Sequence, residues 1–318
     1  MKDCRPPRVP YDHAMRVWII GCGYVGTALG KRLLQEGHTV TGLCRTRERA
    51  TDLAAVGIRP VIADLARAEE LRRLRADCTH AVLCAASAGG DLETYRRIYV
   101  NGTANVLEWL ADAPPTRLVY TGSTGVYGQN DGSDVDEESP TMPQADTARV
   151  LLETEGLLRQ AAMKDRVPAV LLRVAGIYGP ERGYWLRQFL AGTARLDGDG
   201  SRILNMIHRD DLVESILAAL LHGRPGRIYN VVDNEPVRQR DLLGWLARRL
   251  NRPLPLRAEP GIATGGKGLR GSKRILNRRL IEELQVRLRH PTFREGFDAE
   301  LMRMGFSAEP ARDPPRVE

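Results

Sequence analysis

The chain is poor in lysine and in aromatic residues. Lysine occurs at five positions, so arginine supplies 42 of the 47 basic residues, and aromatic residues make up only 5% of the 318. The net charge of +7 is spread along the chain with acids interleaved, whereas proteins that bind single-stranded nucleic acid combine a basic groove with stacking aromatics. The composition therefore indicates a bias toward arginine rather than binding of nucleic acid.

No segment predicts a membrane span or a secretory leader. The longest stretch without a charge, residues 17–30, has 14 residues and contains four glycines, whereas a spanning helix needs about 20 apolar residues. Residues 1–15 contain three prolines and have no apolar core, unlike a signal peptide. We therefore expect a cytoplasmic protein in which residues 1–14 are a disordered extension.

The five cysteines are an odd number, with no Cys-x-x-Cys pair and no histidine cluster near them. This usage argues against a disulfide framework and against a structural zinc site. It suits a reducing compartment. We expect no metal.

The first half of the chain alternates apolar runs with amphipathic segments, which is typical of βαβ units and a parallel sheet. We predict an α/β fold: a Rossmann-type doubly wound sheet (15–174 with 205–232) and a smaller, discontinuous C-terminal substrate domain (175–204 with 233–306), followed by a loose tail from residue 307. Predicted strands are 16–20, 39–43, 59–62, 80–84, 117–121, 169–174 and 227–232. Predicted helices include 24–35, 48–56, 68–74, 92–111, 147–162, 210–221 and 238–250.

The strongest local signal is a glycine loop between the first strand and the first helix, formed by Gly21, Cys22, Gly23, Tyr24, Val25 and Gly26. In this G-x-G-x-x-G pattern the glycines permit a tight turn, the approach of a pyrophosphate, and close packing of helix on strand. The alternative is an ordinary glycine turn. Cys22 at a helix N-terminus could sense redox state, but a small residue that fills the loop is the simpler interpretation.

The residues after the second strand favour NADP over NAD. Residues 37–47 contain no acid, and Arg45, Thr46 and Arg47 follow the strand. An acid at this place would hold the ribose hydroxyls of NAD, whereas arginine accommodates the 2′-phosphate of NADP. The alternative is that these arginines are a solvated helix cap in an arginine-rich chain.

Several ordered motifs carry a family resemblance over about residues 15–305. Besides the glycine loop they are 63–65, 83–87, 102–107, 120–128, 172–180, 205–212, 229–233, 273–277 and 290–296. The chain resembles the extended and atypical short-chain dehydrogenase/reductases, the NAD-dependent epimerase/dehydratase group. The resemblance implies that Asp64 and Leu65 lie beside the adenine of the cofactor. It also implies that Ala85, Ala86 and Ser87 lie along its ribose and pyrophosphate.

The resemblance also implies a catalytic serine at Ser123, where the alternative is a turn hydroxyl that satisfies local backbone. The catalytic tyrosine and lysine of the family should precede Glu155, but their positions hold Thr147 and Leu151. If the expected positions are shifted by two residues, they hold Ala145 and Arg149. This pair also lacks the tyrosine.

Further departures mark an atypical member. Tyr99 stands where an asparagine is expected, and the glycine loop is G-x-G-x-x-G rather than G-x-x-G-x-x-G. Tyr127, Tyr178, His208 and Arg149 are the candidate substitutes for the missing pair. The alternative for the two tyrosines is that they are packing residues. The alternative for His208 is that it orders the segment before the helix that begins at residue 210. Arginine cannot exchange its proton.

Two functions remain open from the sequence. The first is an NADP-dependent oxidoreductase or epimerase-like enzyme on a sugar-like or small carbonyl or hydroxyl compound. The second is a catalytically silent NADP-binding sensor or scaffold. Residues 261–271 hold five glycines, and eight basic residues lie between 267 and 289. This stretch predicts a lid that offers cations to an anionic substrate, unless it is merely a solvated surface.

Overall fold

The computed structural model describes residues 14–87, 89–164, 166–259 and 271–307. The predicted N-terminal extension, except residue 14, the predicted lid, except Gly271, and the predicted tail beyond residue 307 lie outside the described residues. No helix among the described residues is long and apolar enough to cross a membrane.

The described residues form thirteen strands, and seven of them build one parallel sheet. The strands are β1 (Arg16–Ile20), β2 (Thr39–Cys44), β3 (Arg59–Ile62), β4 (His80–Leu83), β5 (Arg117–Ser123), β6 (Asp134–Val135), β7 (Ala169–Val174), β8 (Gly176–Tyr178), β9 (Ile203–Leu204), β10 (Met206–His208), β11 (Ile228–Val231), β12 (Val237–Arg238) and β13 (Arg274–Ile275). The order in the large sheet is β11-β7-β5-β4-β1-β2-β3. The order reverses between β1 and β4, and such a switch point is where α/β sheets open a ligand crevice.

The helices are α1 (Tyr24–Gln35), α2 (Arg47–Ala55), α3 (Ala68–Arg72), α4 (Leu92–Tyr95), α5 (Gly102–Ala111), α6 (Asp146–Met163), α7 (Tyr184–Leu190), α8 (Arg209–His222), α9 (Gln239–Arg249), α10 (Arg278–Glu283) and α11 (Phe293–Arg303). Helices α1, α2 and α8 share an apolar cluster with one face of the sheet. Helices α3, α5 and α6 cover the other face. All six residues of β7 are buried, as its sequence, apolar except for Arg173, predicts for a strand covered on both sides. The predicted Rossmann-type fold is confirmed.

Another apolar cluster lies beyond the large sheet. Its members come mainly from α7, α9 and α11 and include Trp185, Phe189, Leu243, Phe293 and Phe297. Two small strand pairs, β8 with β10 and β9 with β12, contribute buried residues to this cluster. A third pair, β6 with β13, packs instead with Val126 and Tyr127. The predicted division into two domains stays a prediction.

One predicted helix differs in its interior. The stretch 92–111, predicted as a single helix, consists of α4, a π-helical turn at Arg96–Asn101, and α5. A π-helical turn adds one residue to the turn and so rotates the face that follows by about 100°. The apolar residues with helical spacing, Val106, Leu107 and Leu110, all lie after the turn, so their spacing carries no sign of it. Immediately after the turn, Gly102 allows the helix to approach Leu65 closely, because a Cβ at Gly102 would overlap the leucine side chain.

Candidate cofactor and proton-transfer site

The three glycines of the loop have three different surroundings. Gly21 has a φ of +86°, and a Cβ there would overlap the backbone of Ala85. A Cβ at Gly26 would lie 2.8 Å from Ile19 Cγ2, so this glycine permits helix α1 to pack on β1. At Gly23 the nearest atom to such a Cβ is 3.9 Å away. The space in front of Gly23 is therefore open, as the approach of a pyrophosphate requires.

Helix α1 begins at Tyr24 without a side-chain cap and without an acid in its first turn. Its first N–H groups therefore have no partner from a capping side chain, and the positive end of the helix dipole lies beside them. Such a helix start next to open space could hold the phosphates of a dinucleotide.

Arg49 donates hydrogen bonds to backbone carbonyls of the glycine loop, a contact that no sequence motif predicted. Its guanidinium donates to Cys22 O at 3.0 Å and to Gly23 O at 3.2 Å, and it also contacts the hydroxyl of Thr27. The only signal in the sequence is Thr46, whose side chain caps α2 by accepting from the Arg49 N–H. The N–H groups of Gly21 and Cys22 donate to Leu43 O, and that of Gly23 donates to Gly21 O. The amides available for an anion are therefore those at the start of α1.

The end of β2 presents cations to solvent. Cys44 is buried, whereas Arg45, Thr46 and Arg47 are exposed.

Burial raises the pKa of the Cys22 thiol to about 11, so this thiol stays protonated at neutral pH and is a poor redox sensor. The structure therefore favours the interpretation of Cys22 as a small residue that fills the loop.

The segments after β3 and β4 reach the same carboxyl edge of the sheet. Asp64 accepts from the Ala66 N–H at 2.9 Å and pairs with Arg97 at 3.3 Å, while Leu65 is buried. Ala85 lies directly against Gly21, and Ala86 is exposed beside it. Ser87, the next residue, is partly buried.

A buried ion pair fixes the rotation of α6. Arg173 of β7 donates to Glu155 at 2.7 and 3.0 Å, and both side chains are almost fully buried. Residues four and eight positions earlier on a helix lie on the same face, so Leu151 and Thr147 follow Glu155 along the inward side. Leu151 packs against an apolar cluster that contains Val126 and Tyr127. The expected positions of the tyrosine and lysine are thus occupied by groups that cannot exchange a proton.

Ser123 ends β5, and its Oγ accepts from the Gly125 N–H at 3.1 Å. Its hydroxyl therefore supports the local turn, as the alternative interpretation expects, and its own O–H can still donate to a substrate oxygen.

The four candidate substitutes do not meet at one place open to solvent. Tyr127 is buried and its hydroxyl donates to Asn230 at 2.8 Å. Tyr178 is buried against α11, where a Cβ at Gly296 would overlap its hydroxyl. Arg149 is exposed and paired with Asp146.

His208 is also buried and serves as a cap. Its Nδ1 accepts from the Asp210 N–H at 3.2 Å at the start of α8, and its Nε2 lies 3.4 Å from Glu300. Burial lowers the pKa of His208. With Asp211 and His290 it forms a group whose polar atoms lie within 4.8 Å of one another. The Asp211 carboxylate, however, already accepts from the N–H groups of Arg289 and His290 and contacts the His290 ring at 3.0 Å.

Tyr24 connects the glycine loop to the segment after β8. Its hydroxyl donates to Pro180 O at 2.8 Å. The guanidinium groups of Arg182 and Arg209 each lie 5.2 Å from the centre of its ring. Two cations therefore stand beside the start of α1, another feature that no sequence motif predicted.

The comparisons with known proteins agree with this geometry. The family model for the NAD-dependent epimerase/dehydratase family matches residues 17–231. A 4-hydroxy-2-methyl-3-oxo-4-farnesyl-3,4-dihydroquinoline-1-oxide ketoreductase of Stigmatella aurantiaca is 30% identical over 73% of this chain and 72% of its own length. A 2-alkyl-3-oxoalkanoate reductase of Shewanella oneidensis is 27% identical over 70% of this chain and 63% of its own.

Solved structures share the fold. A UDP-glucuronic acid 4-epimerase from Bacillus cereus, in complex with UDP-glucuronic acid and NAD, superposes with a TM-score of 0.78 at 19% identity, covering 92% of this chain and 99% of the other. At this identity the likeness concerns the fold alone.

Proposed function

Because this chain belongs to the NAD-dependent epimerase/dehydratase family, a family of NAD(P)-binding proteins of oxidoreductase type, we propose that it is an NADP-dependent reductase of a small carbonyl compound. The observation that carries the cofactor choice is the end of β2. There Arg45 and Arg47 are exposed beside the glycine loop, and no acid occurs between residues 37 and 47. Arginine at this place suits a 2′-phosphate, which NADP has and NAD lacks.

Charge around the loop supports the same choice. Arg49 lies under the loop carbonyls, and Arg182 and Arg209 flank Tyr24 at the start of α1. NADP carries more negative charge than NAD, so positive charge near the loop favours it, although the Arg209 guanidinium also pairs with Asp210 at 2.9 Å.

The reductive direction is supported by the relatives. Two of them bear names of reductases that act on keto compounds. We therefore place small ketones and keto esters first among the substrates, with sugar-like carbonyl compounds second. The predicted lid, residues 261–271, would add cations for an anionic substrate.

A second candidate is a silent NADP-binding protein. The observation that favours it is the inward face of α6, where Thr147 and Leu151 replace the proton-transferring pair. Such a protein would bind the cofactor tightly and turn nothing over.

Fluorescence titration with NADPH and NADH tests the cofactor choice. We expect NADPH to bind more tightly, and Arg45→Asp to weaken NADPH by at least about tenfold, equivalent to about 1.4 kcal/mol, while NADH is little affected. Arg59→Asp is the matched control, because Arg59 is also exposed but begins β3 at the opposite edge of the sheet. Equal affinities of the wild-type protein for the two cofactors would refute the NADP preference.

Turnover separates the two candidates. NADPH oxidation is followed with a panel of ketones, keto esters, aldehydes and keto sugars. The reductase proposal expects oxidation with at least one class. Tight NADPH binding without oxidation across the whole panel would favour the silent protein.

A further inference from the structure

A basic cavity opens on the region built around α9 and α11. Its volume is about 650 Å³, and five arginines line it: Arg238, Arg240, Arg248, Arg274 and Arg294. Small-molecule sites in proteins commonly have volumes of about 300–1,000 Å³. None of the described residues that line the cavity belongs to the glycine loop or to the ends of β2, β4 and β5. The cavity is therefore built by other elements than the dinucleotide crevice.

Three of these guanidinium groups lack a counter-charge. Arg294 pairs with Glu235. Arg238, Arg240 and Arg248 are exposed and form no ion pair with any residue that the structure describes. Cations held around one cavity repel one another, and a bound anion would relieve that repulsion.

The remaining charges do not balance these cations. Arg274 Nε lies 4.0 Å from an oxygen of Asp134, which itself does not line the cavity. Asp241, the second acid of the lining, lies in the first turn of α9. Five arginines against two acids leave an excess of three positive charges in the lining. A concave surface with such an excess attracts anions.

A glycine opens the floor of the cavity between two of the arginines. Arg240, Gly244 and Arg248 are spaced by four residues on α9, so they lie on one face of the helix. Apart from the helix backbone and the adjacent residues, a Cβ at Gly244 would lie within 4 Å of one described atom only, Nη1 of Arg248, at 3.6 Å. The Arg248 guanidinium therefore lies back over Gly244, toward Arg240.

Packing does not require this glycine. The contact of 3.6 Å is an ordinary van der Waals distance, and a glycine inside a helix lowers the stability of that helix relative to most other residues. What Gly244 does provide is open space beside the Arg248 guanidinium. The helix thus carries a destabilising residue at the place where an anion would lie between two cations.

The backbone that carries these arginines is fixed at the start of α9. The Arg240 N–H donates to Gly200 O at 3.0 Å, and the Gln239 N–H donates to Arg202 O at 2.9 Å. Arg238 ends β12, which pairs with β9. Because the backbone is held before any ligand arrives, little ordering of the main chain opposes binding.

We propose that this cavity binds a small phosphate ester, whose phosphate lies over Gly244 between Arg240 and Arg248. The planar fork of a guanidinium matches two phosphate oxygens. Pro236 and Leu254 also line the cavity and provide an apolar surface for the organic part of the ester. No aromatic residue is among the described residues of the lining, and single-stranded nucleic acid would require stacking aromatics. The site does not depend on the reductase function.

Isothermal titration calorimetry with inorganic phosphate and butyl phosphate, at constant ionic strength, tests the site. We expect saturable binding of both probes. Arg240→Gln and Arg248→Gln should each weaken both probes at least about tenfold. Arg159→Gln is the matched control, because Arg159 is likewise exposed on a helix, α6, and this variant should bind as the wild-type protein does.

The apolar part of the site has its own test. Butyl phosphate should bind more tightly than inorganic phosphate, because its alkyl chain covers the side chain of Leu254, which is 45% exposed. Leu254→Asn should remove this difference and leave the affinity for inorganic phosphate unchanged. Equal affinities of the wild-type protein for the two probes would overturn the assignment to a phosphate ester.

Gly244→Leu tests the open floor. Leucine favours a helix more than glycine does, so the melting temperature should not fall, while both probes should bind at least about tenfold more weakly. Gly156→Leu is the control, since Gly156 lies inside α6 and a Cβ there would have no neighbour within 4 Å among the described residues. This control should leave the affinity for both probes unchanged.

The site must also be distinguished from the glycine loop, which could take a phosphate as well. We expect the same affinity for butyl phosphate with and without saturating NADPH. Competition between butyl phosphate and NADPH would assign the phosphate to the cofactor crevice and overturn this inference. Absence of saturable binding, or binding that Arg240→Gln and Arg248→Gln leave unchanged, would overturn it too. None of these results involves turnover, so the reductase function is tested separately.

Discussion

The glycine loop and the inward face of α6 lie close to the same edge of the sheet but keep very different amounts of the family's chemistry. At the loop, Gly21, Gly23 and Gly26 each have the surroundings that their place in the motif requires. On α6 the register is preserved by the Glu155–Arg173 pair, yet neither Thr147 nor Leu151 has a side chain that can act as a general acid or base near neutral pH. The site has retained the geometry for a dinucleotide and lost the usual means of moving a proton.

This contrast separates two requirements that one active site usually meets together. Binding a dinucleotide depends on backbone shape, which glycines secure. Proton transfer depends on a few side chains, which other elements can supply. A site of this kind either becomes silent or takes its proton from a neighbouring element.

The largest expected effect comes from the loop. Gly21→Ala must place a Cβ into the backbone of Ala85 at a φ of +86°, so we expect no saturable NADPH binding and a lowered melting temperature. Gly23→Ala has room within the protein, because the nearest atom lies 3.9 Å away. This variant should fold normally and still bind NADPH at least about tenfold more weakly. Wild-type affinity in Gly23→Ala would contradict a pyrophosphate at this place.

The next largest expected effect is a loss of stability when the buried ion pair between Glu155 and Arg173 is broken. Glu155→Gln leaves the buried guanidinium of Arg173 without its counter-charge, and breaking such a pair costs about 3–5 kcal/mol. The control lies two residues earlier on the same helix: Glu153 pairs with Arg96 near solvent, and Glu153→Gln should cost less than about 1 kcal/mol. Chemical denaturation measures both. Equal losses would mean that burial does not distinguish the two pairs.

The smallest expected effect is a change in melting temperature that depends on pH. Asp233 is buried, and burial raises the pKa of its carboxyl well above the ordinary range. Its protonated form favours folding at low pH, and this contribution is lost as the pH rises past the ordinary range of a carboxyl group and the buried group is forced to ionise. Asp233→Asn stays neutral at every pH, so it should raise the melting temperature by about 2 °C near pH 8 and by less near pH 4.

The exposed acid Asp112 provides the control for that experiment. Asp112→Asn should show no change in melting temperature that depends on pH, because its carboxyl is exposed. A gain for Asp233→Asn that is the same at both pH values would point to packing rather than to charge.

The sequence predicted the fold closely because its signals are periodic and local. The bounds of β1, β3 and β7 agree with the apolar runs, and α1 begins and ends where its pattern does. The π-helical turn escaped prediction because the apolar residues whose spacing predicts this helix, Val106, Leu107 and Leu110, all lie beyond the turn.

The site was predictable where a motif dictates backbone shape and less so where side chains converge from distant segments. The glycine loop could be inferred from its spacing, and the loss of the tyrosine and lysine from the family resemblance. Arg49 under the loop and the two arginines beside Tyr24 could not, because arginine is common throughout the chain and only the fold selects which guanidinium groups meet. The burial of Tyr127 and Tyr178 likewise depends on packing against strands and helices far away in sequence.

The most direct test of the account follows a deuterium atom. Wild-type protein, NADPH carrying deuterium at the transferred position, and the keto compound that supports NADPH oxidation are mixed in ordinary water, and the alcohol product is analysed by mass spectrometry. The account predicts one deuterium on the carbinol carbon, a hydroxyl proton that comes from solvent, and one alcohol formed for each NADPH oxidised. An alcohol without deuterium, or no alcohol despite tight NADPH binding, would contradict it.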